Sequence, residues 1–243
     1  MPEQSALDNI SIVLVNTKAP ANIGSVARCM MNMGLSRLIL VRPPRDENDE
    51  AVKLAAGAER VLHEAAIFET LQDAVADHHL VIGTSRLRAR SRRNVSSPRA
   101  AAERIAPLLS RNRTALVFGR EVNGLDKEDL ALCHELIAIP SSDAFPSLNL
   151  SHAVMVIAYE LFLAAHAGLP GDGRTLARTD EIERFFVHLQ AVLREIGFLD
   201  DANAVHMMSS LRQLFARASL EPRDVKILRG ILSAVTDAHR PKS

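Results

Sequence analysis

Short apolar runs alternate with segments of helical period through the first two thirds of the chain. Continuous apolar stretches at 10–16, 37–41, 80–83, 114–118 and 135–139 have strand length and no polar face, the mark of strands buried on both sides. Between them, helical patterns are predicted at 23–33, 51–58, 100–109 and 126–133, and 149–167 reads as the longest helix of this part. Asn22 is placed as an N-cap and Gly34 as the residue just past the helix end. Strands and helices in alternation predict an α/β domain on a parallel sheet. From 168 to 174 the chain holds three glycines and a proline, which reads as a linker. Beyond it the pattern is helical throughout. Ile182, Phe185, Phe186, Leu189 and Val192 keep i, i+3, i+4 spacing behind Thr179 as a cap, and further helices are expected over 204–216 and from Pro222 to about 235. The domain division is therefore 1–167, a linker at 168–178, and a small all-helical extension over 179–243.

Composition narrows the class without deciding it. Apolar residues make up 47% and charged residues 24% of 243, the balance of a folded globular chain and not of a disordered or fibrous one. Two distant cysteines, Cys29 and Cys133, support neither a disulfide framework nor a zinc cluster. The opening MPEQSALDNI lacks the basic and apolar regions of a secretory signal, and the apolar stretch around 153–167 is too short for the ~20 residues of a membrane span. A cytoplasmic protein with no membrane partner and no metal is expected.

Net charge is zero, yet its distribution is uneven. Nine arginines (86, 88, 90, 92, 93, 99, 104, 111 and 113) stand against the single acid Glu103 between Thr84 and Arg113, so the remainder is net acidic. Such a local excess points to a polyanion partner. His78 and His79, leading into a strand, are read as surface residues, and none of the nine histidines has metal-ligand spacing.

Ligands of open parallel sheets bind outside the carboxyl ends of the strands. There the chain places Thr84-Ser85-Arg86, then Gly119-Arg120-Glu121-Val122-Asn123-Gly124-Leu125, then the stretch from Pro140 to Ser147 before Leu148 and Asn149. Small and hydroxyl-bearing residues let backbone groups come close to a ligand. No GxGxxG or GxxxxGK[ST] is present, which removes the dinucleotide and P-loop readings, and no GxSxG suggests a serine nucleophile. A further pattern runs Asn22, Gly24, Arg28, Asn32, Gly34. Glycine in a first helical turn costs ~1 kcal/mol relative to alanine, so something is expected to approach closely at Gly24, with Arg28 one turn on as a phosphate-holding cation.

Taken together, Asn22–Gly34, Gly119–Leu125 and Ile139-Pro140…Ser147-Leu148-Asn149-Leu150 resemble the three motifs of the SpoU branch of the SPOUT RNA methyltransferases. The helical tail, with Met207, Leu211-Arg212 and 227–232, resembles that of the bacterial tRNA (cytidine/uridine-2′-O-)-methyltransferases. The resemblance implies a fold that composition does not show: a parallel-sheet domain whose C-terminal part forms a trefoil knot, binding S-adenosyl-L-methionine within it. It also implies a homodimer acting on tRNA at the ribose of nucleotide 32. Carried onto this chain, the catalytic residues would be Arg28, Asn22, Glu121 and Asn149. The cofactor would be held by Thr84, Ser85, Arg86, Gly119, Ile139, Pro146, Ser147 and Leu148. Arg88, Arg90, Arg92 and Arg93 then become the expected RNA contacts. The alternatives are an enzyme acting on ribosomal RNA or on the tRNA wobble ribose, and a non-catalytic RNA-binding factor on the same fold.

Overall fold

The computed structural model describes residues 6–44, 49–85 and 94–239. Seven parallel strands form one sheet: β1 (Ile10–Val15), β2 (Arg37–Val41), β3 (Ala66–Phe68), β4 (Leu80–Thr84), β5 (Val95–Ser96), β6 (Thr114–Phe118) and β7 (Glu135–Ile137), ordered β3-β2-β1-β6-β4-β7-β5. β1 and β6 are buried at every position, as their unbroken apolar runs require. Helices cover both faces: α1 (Pro20–Asn32), α2 (Asp49–Ala55), α3 (Glu59–His63), α4 (Leu71–Val75), α5 (Pro98–Ile105), α6 (Lys127–Leu132) and α7 (Leu150–His166). One apolar core on each face of the sheet results, the larger packing α1, α5 and α7 against Ile12, Leu14, Ile82 and Leu116.

The chain proceeds outward from β1 to β2 and β3 on one side and occupies the other side with β4 to β7. The order reverses beside β1, where β6 and β4 follow. Because all strands are parallel, the loops after β1, β4, β6 and β7 emerge at one edge. Their convergence there accords with the trefoil crossing that the resemblance implies.

Several expected elements shift. Pro20, not a residue after Asn22, begins α1, with Ala19 as N-cap, because proline's fixed φ suits the first turn. Asn22 is thereby moved inside the helix, its side chain free for other work. Met33 caps the far end and Gly34 follows at φ 69° as expected. The expected helix over 51–58 is instead α2 and α3, broken at Ala56 and Gly57, both at positive φ. The space left by Gly24 is filled from within: a Cβ there would lie 2.0 Å from the Ala51 carbonyl oxygen, so the close approach is that of α2 and not of a ligand.

His78 is also a correction. It is buried at 3% exposure, with Nε2 2.9 Å from Ser11 Oγ and Nδ1 3.0 Å from Asp77. Burial pulls its pKa down to about 4, opposed by Asp77 and assisted by Arg113, His79 and Arg37. His79, half-buried, accepts from the Arg113 amide at 3.0 Å.

The extension comprises α8 (Thr179–Glu195), α9 (Ala204–Ala216) and α10 (Pro222–His239) around Phe185, Phe186, Leu189, Val192, Met208, Val225 and Leu232. Phe215 meets Phe185 edge-on at 5.1 Å. The stretch expected to be a plain linker is docked. Asn112, 1% exposed, donates to the Arg174 carbonyl at 2.9 Å and accepts from the Leu176 amide at 2.8 Å. Thr179 is the first residue of α8, not its cap, and its hydroxyl donates to the His78 carbonyl at 2.8 Å.

Candidate active site

Three loops close around one cleft of about 540 Å³ at the carboxyl edge of the sheet. Its lining includes Thr84 at the end of β4 and Ser85 just past it, Gly119 and Glu121 after β6, and Ile139, Pro146, Ser147 and Leu148 after β7. All seven described residues expected to hold a cofactor therefore face one space, although they span more than sixty positions of sequence. Arg86, Arg88, Arg90, Arg92 and Arg93 lie outside the described residues.

Local chemistry shapes each wall. The loop after β6 folds back on itself, with the Gly124 amide donating to the Arg120 carbonyl at 2.9 Å and the Arg120 amide donating to Gly124 at 3.2 Å. Gly124 takes φ 67°, and a Cβ on Gly119 would stand 2.1 Å from the Gly124 carbonyl carbon. Both glycines are thus required by the chain's own turn. The Thr84 hydroxyl donates to the Val117 carbonyl at 3.1 Å, fixing its methyl and oxygen relative to β6. Asn149 caps α7, its Oδ1 accepting from the Ser151 amide at 2.9 Å.

That cap leaves the Asn149 amide nitrogen to donate to Asn22 Oδ1 at 3.1 Å. Asn22 Nδ2 in turn donates to Glu121 Oε1 at 3.0 Å, and Glu121 also accepts from the Ala19 amide at 3.2 Å and the Lys18 amide at 3.3 Å. One polar chain thus joins residues of three motifs. Partial burial favours the neutral form of Glu121, but its hydrogen bonds outweigh this and hold the carboxyl below its ordinary value. An ionised carboxylate at the cleft wall follows.

Arg28 is not joined to this chain of contacts. It is exposed on α1 and has no hydrogen bond or ion pair with a described residue. Of the described arginines in the basic stretch, three are engaged by acids brought from elsewhere: Arg99 with Glu160 at 3.2 Å, Arg104 with the buried Glu135, and Arg113 with Asp77. Folding therefore neutralises part of the charge excess seen along the sequence. Among the described residues no group of three or more His, Cys, Asp or Glu side chains could hold a metal, and no helix is long and apolar enough to cross a membrane.

Comparison with known proteins places these features. Residues 9–159 match the model of the SpoU rRNA Methylase family, and 180–243 match that of the C-terminal domain of the tRNA methyltransferase TrmJ. The tRNA (cytidine/uridine-2′-O-)-methyltransferase TrmJ of Pectobacterium atrosepticum is 43% identical over 241 residues, spanning 96% of this chain and 99% of that one. The tRNA (cytidine/uridine/adenosine-2′-O-)-methyltransferase TrmJ of Pseudomonas aeruginosa is 42% identical, with 93% of each chain covered. Among solved structures, TrmJ from Z. mobilis superposes with a TM-score of 0.82 at 33% identity, over 93% of this chain and 98% of its own. A structure described as addressing 2-OH methylation of C/U34 on tRNA gives a TM-score of 0.51 at 26% identity, over 64% and 95%. In both its parallel-sheet domain and its helical extension, this chain belongs to the SpoU methylase family, in the branch of the TrmJ tRNA methyltransferases.

Proposed function

We propose that the protein transfers a methyl group from S-adenosyl-L-methionine to the ribose 2′-hydroxyl of a tRNA anticodon-loop pyrimidine, cytidine or uridine 32. The observation that supports this reading most is the hydrogen-bonded series Asn149–Asn22–Glu121 at the edge of a cleft built by the three motif loops.

The cleft suits the donor on its own chemistry. Its volume falls in the ~300–1,000 Å³ range of small-molecule sites, and its lining combines hydroxyls of Thr84 and Ser85 with apolar Ile137, Ile139, Leu125 and Leu130. Glu121, kept ionised, complements a cationic sulfonium. The donor's role, when bound, is to supply an electrophilic methyl group. The chain's own task is to position the acceptor, for which good alignment is worth ~7–11 kcal/mol. Asn22, Glu121 and Asn149 hold one another in fixed orientation, so the polar wall facing the ribose is set before substrate arrives. Arg28 carries a planar guanidinium whose donors are set in a rigid fork. It serves as a fork-shaped clamp on a phosphate next to the ribose, not as a base.

Arg28 reaches the reaction through a homodimer in this reading. It is exposed on α1 together with Met31, and α7 presents Val156, Tyr159 and Leu163 on one exposed face. Such an apolar strip beside a cation with no partner among the described residues fits a second copy of the chain that completes the site. The wobble-ribose reading is weaker, because the C/U34 structure corresponds to 64% of this chain whereas the TrmJ structure extends over 93%. A binding-only role leaves the three-residue polar series without a task.

Mass mapping after incubation of the dimer with an unmodified tRNA transcript and labelled donor tests the proposal. One labelled methyl on the ribose of nucleotide 32 is expected. Label on a base, on nucleotide 34, or nowhere overturns it.

A further inference from the structure

Two neighbouring strands end in the same unusual way. β1 and β2 are paired in register up to Val15 and Val41, and the next residues, Asn16 and Arg42, adopt φ 54° and 51°. Asparagine tolerates the left-handed region, but arginine is strained there. Strain of this kind gathers at functional sites. The Asn16 amide donates to the Val41 carbonyl at 2.8 Å and that of Arg42 to Phe68 at 3.0 Å, so the backbone of both turns is fixed.

The side chains meet above these turns. With its amide oxygen directed toward them, Asn16 accepts from Arg42 Nη2 and from Arg120 Nη2, each at 3.1 Å. Two guanidinium groups thus converge on a single neutral oxygen while both arginines stay exposed. Like charges brought together repel unless an anion is shared between them. The nearby carboxylates offset this repulsion only in part. Asp126 Oδ2 forms a long ion pair with Arg120 at 3.9 Å, while its Oδ1 accepts from the Asp129 amide at 2.8 Å. Asp129, which acts on Arg42 electrostatically, accepts back from the Asp126 amide as the partner in the α6 capping box. Thr17, beside Asn16, is 2% exposed and its hydroxyl has no hydrogen-bond partner among the described residues. Strain, paired cations and an orphaned hydroxyl coincide at the carboxyl edge of the sheet.

We propose that Arg42 and Arg120 form a phosphate-binding subsite that grips the RNA backbone next to the methyl-acceptor ribose. This rests on the proposed function for the nature of the substrate. Arg120 lines the cleft and immediately precedes Glu121, while the amides of Lys18 and Ala19, two and three residues after Asn16, donate to Glu121. A ribose presented to Glu121 and Asn22 carries phosphates on both sides, and the pair would take one of them. Planar guanidinium forks suit phosphate oxygens, and two of them sharing one anion remove the repulsion that the free site contains.

The variants R42G and R120Q test this. Glycine keeps the Arg42 backbone conformation without strain, so R42G removes a side chain and leaves the turn intact. Binding of full-length tRNA transcript is measured across a salt series, alongside calorimetric binding of S-adenosyl-L-methionine. Each variant is expected to weaken tRNA binding about tenfold and to reduce the slope of log affinity against log salt by about one, and R42G, which lies outside the cleft lining, to leave donor affinity within twofold of wild type. Unchanged tRNA affinity and slope overturn the subsite. Parallel loss of donor affinity with an unchanged slope overturns it too, assigning the pair to the donor's carboxylate. Should the wild-type protein bind tRNA with the steeper slope yet transfer no methyl group, the proposed function falls and the subsite stands.

Discussion

Glu121 draws its donors from a stretch of chain about a hundred residues away, and this fixes what a substitution there would do. Its two oxygens accept from the Asn22 side chain and from the amides of Ala19 and Lys18. In E121Q one acceptor becomes an NH₂ group that must face a donor. Hydrogen bonds to a charged group contribute ~1.5–3 kcal/mol, so misplacing one is expected to slow methyl transfer by roughly 10- to 100-fold. Single-turnover transfer at saturating donor checks this, and a rate within twofold of wild type would contradict it. The individual residues Asn22, Gly119, Glu121 and Asn149 were legible in the sequence as parts of motifs. Their hydrogen bonds were not, since Asn22 was expected to cap a helix and its partners lie 99 and 127 positions away. The environment of Arg42 and Arg120 was hidden for the same reason, because a positive φ at a non-glycine residue leaves no signature in composition.

Helices and strands show where apolar pattern is sufficient information and where it is not. β2, β6 and α9 fall on their expected bounds, and β1, β4 and β7 differ by one or two residues. β3 and β5 were missed: they have three and two residues, and β3 is largely exposed, so neither makes an apolar run. Two glycines within helices make opposite predictions. G24A drives a methyl group into the Ala51 carbonyl and must separate α1 from α2, so a loss of ~1–3 kcal/mol or more is expected. Gly230, mid-way along α10 with nothing within 4 Å of its Cβ position, has no such constraint, and G230A is expected to stabilise by ~0.5–1 kcal/mol. Urea denaturation of the two variants decides, and opposite signs are the required result.

Two histidines, the buried His78 and the partly buried His134, add a pH dependence to these elements. Burial takes His78 and His134 to about 4, from an ordinary value of 6.5. The unfolded chain then binds more protons than the folded one between about pH 6.5 and 4, so stability is complete above that window and declines as pH falls through it. The slope approaches ~1.4 kcal/mol per pH unit for each histidine. Replacing His78 by asparagine is expected to flatten the urea midpoint against pH across this range, and an unchanged profile would remove His78 as the cause.

Across the whole molecule, the two parts are coupled more closely than their composition suggests. Glycine and proline at 168–174 mark a junction, yet Asn112 and His78 pin its far side to the sheet domain. An isolated polar residue gives no warning that it will be buried, so this docking could not be read from the chain alone. Across the junction His134 faces Glu183 and Arg212 of the tail, which pair with each other as Arg212 lies 4.3 Å above the Phe186 ring. The cleft depends on the same long-range order, because its lining comes from three loops that meet only when the parallel sheet is complete. Isothermal titration of the purified protein with S-adenosyl-L-methionine measures the consequence directly. Saturable binding is expected, abolished by substitution of Gly119 with valine, whose side chain would collide with the Gly124 turn. Absence of any heat on mixing the wild-type protein with the donor or its demethylated product would contradict the account.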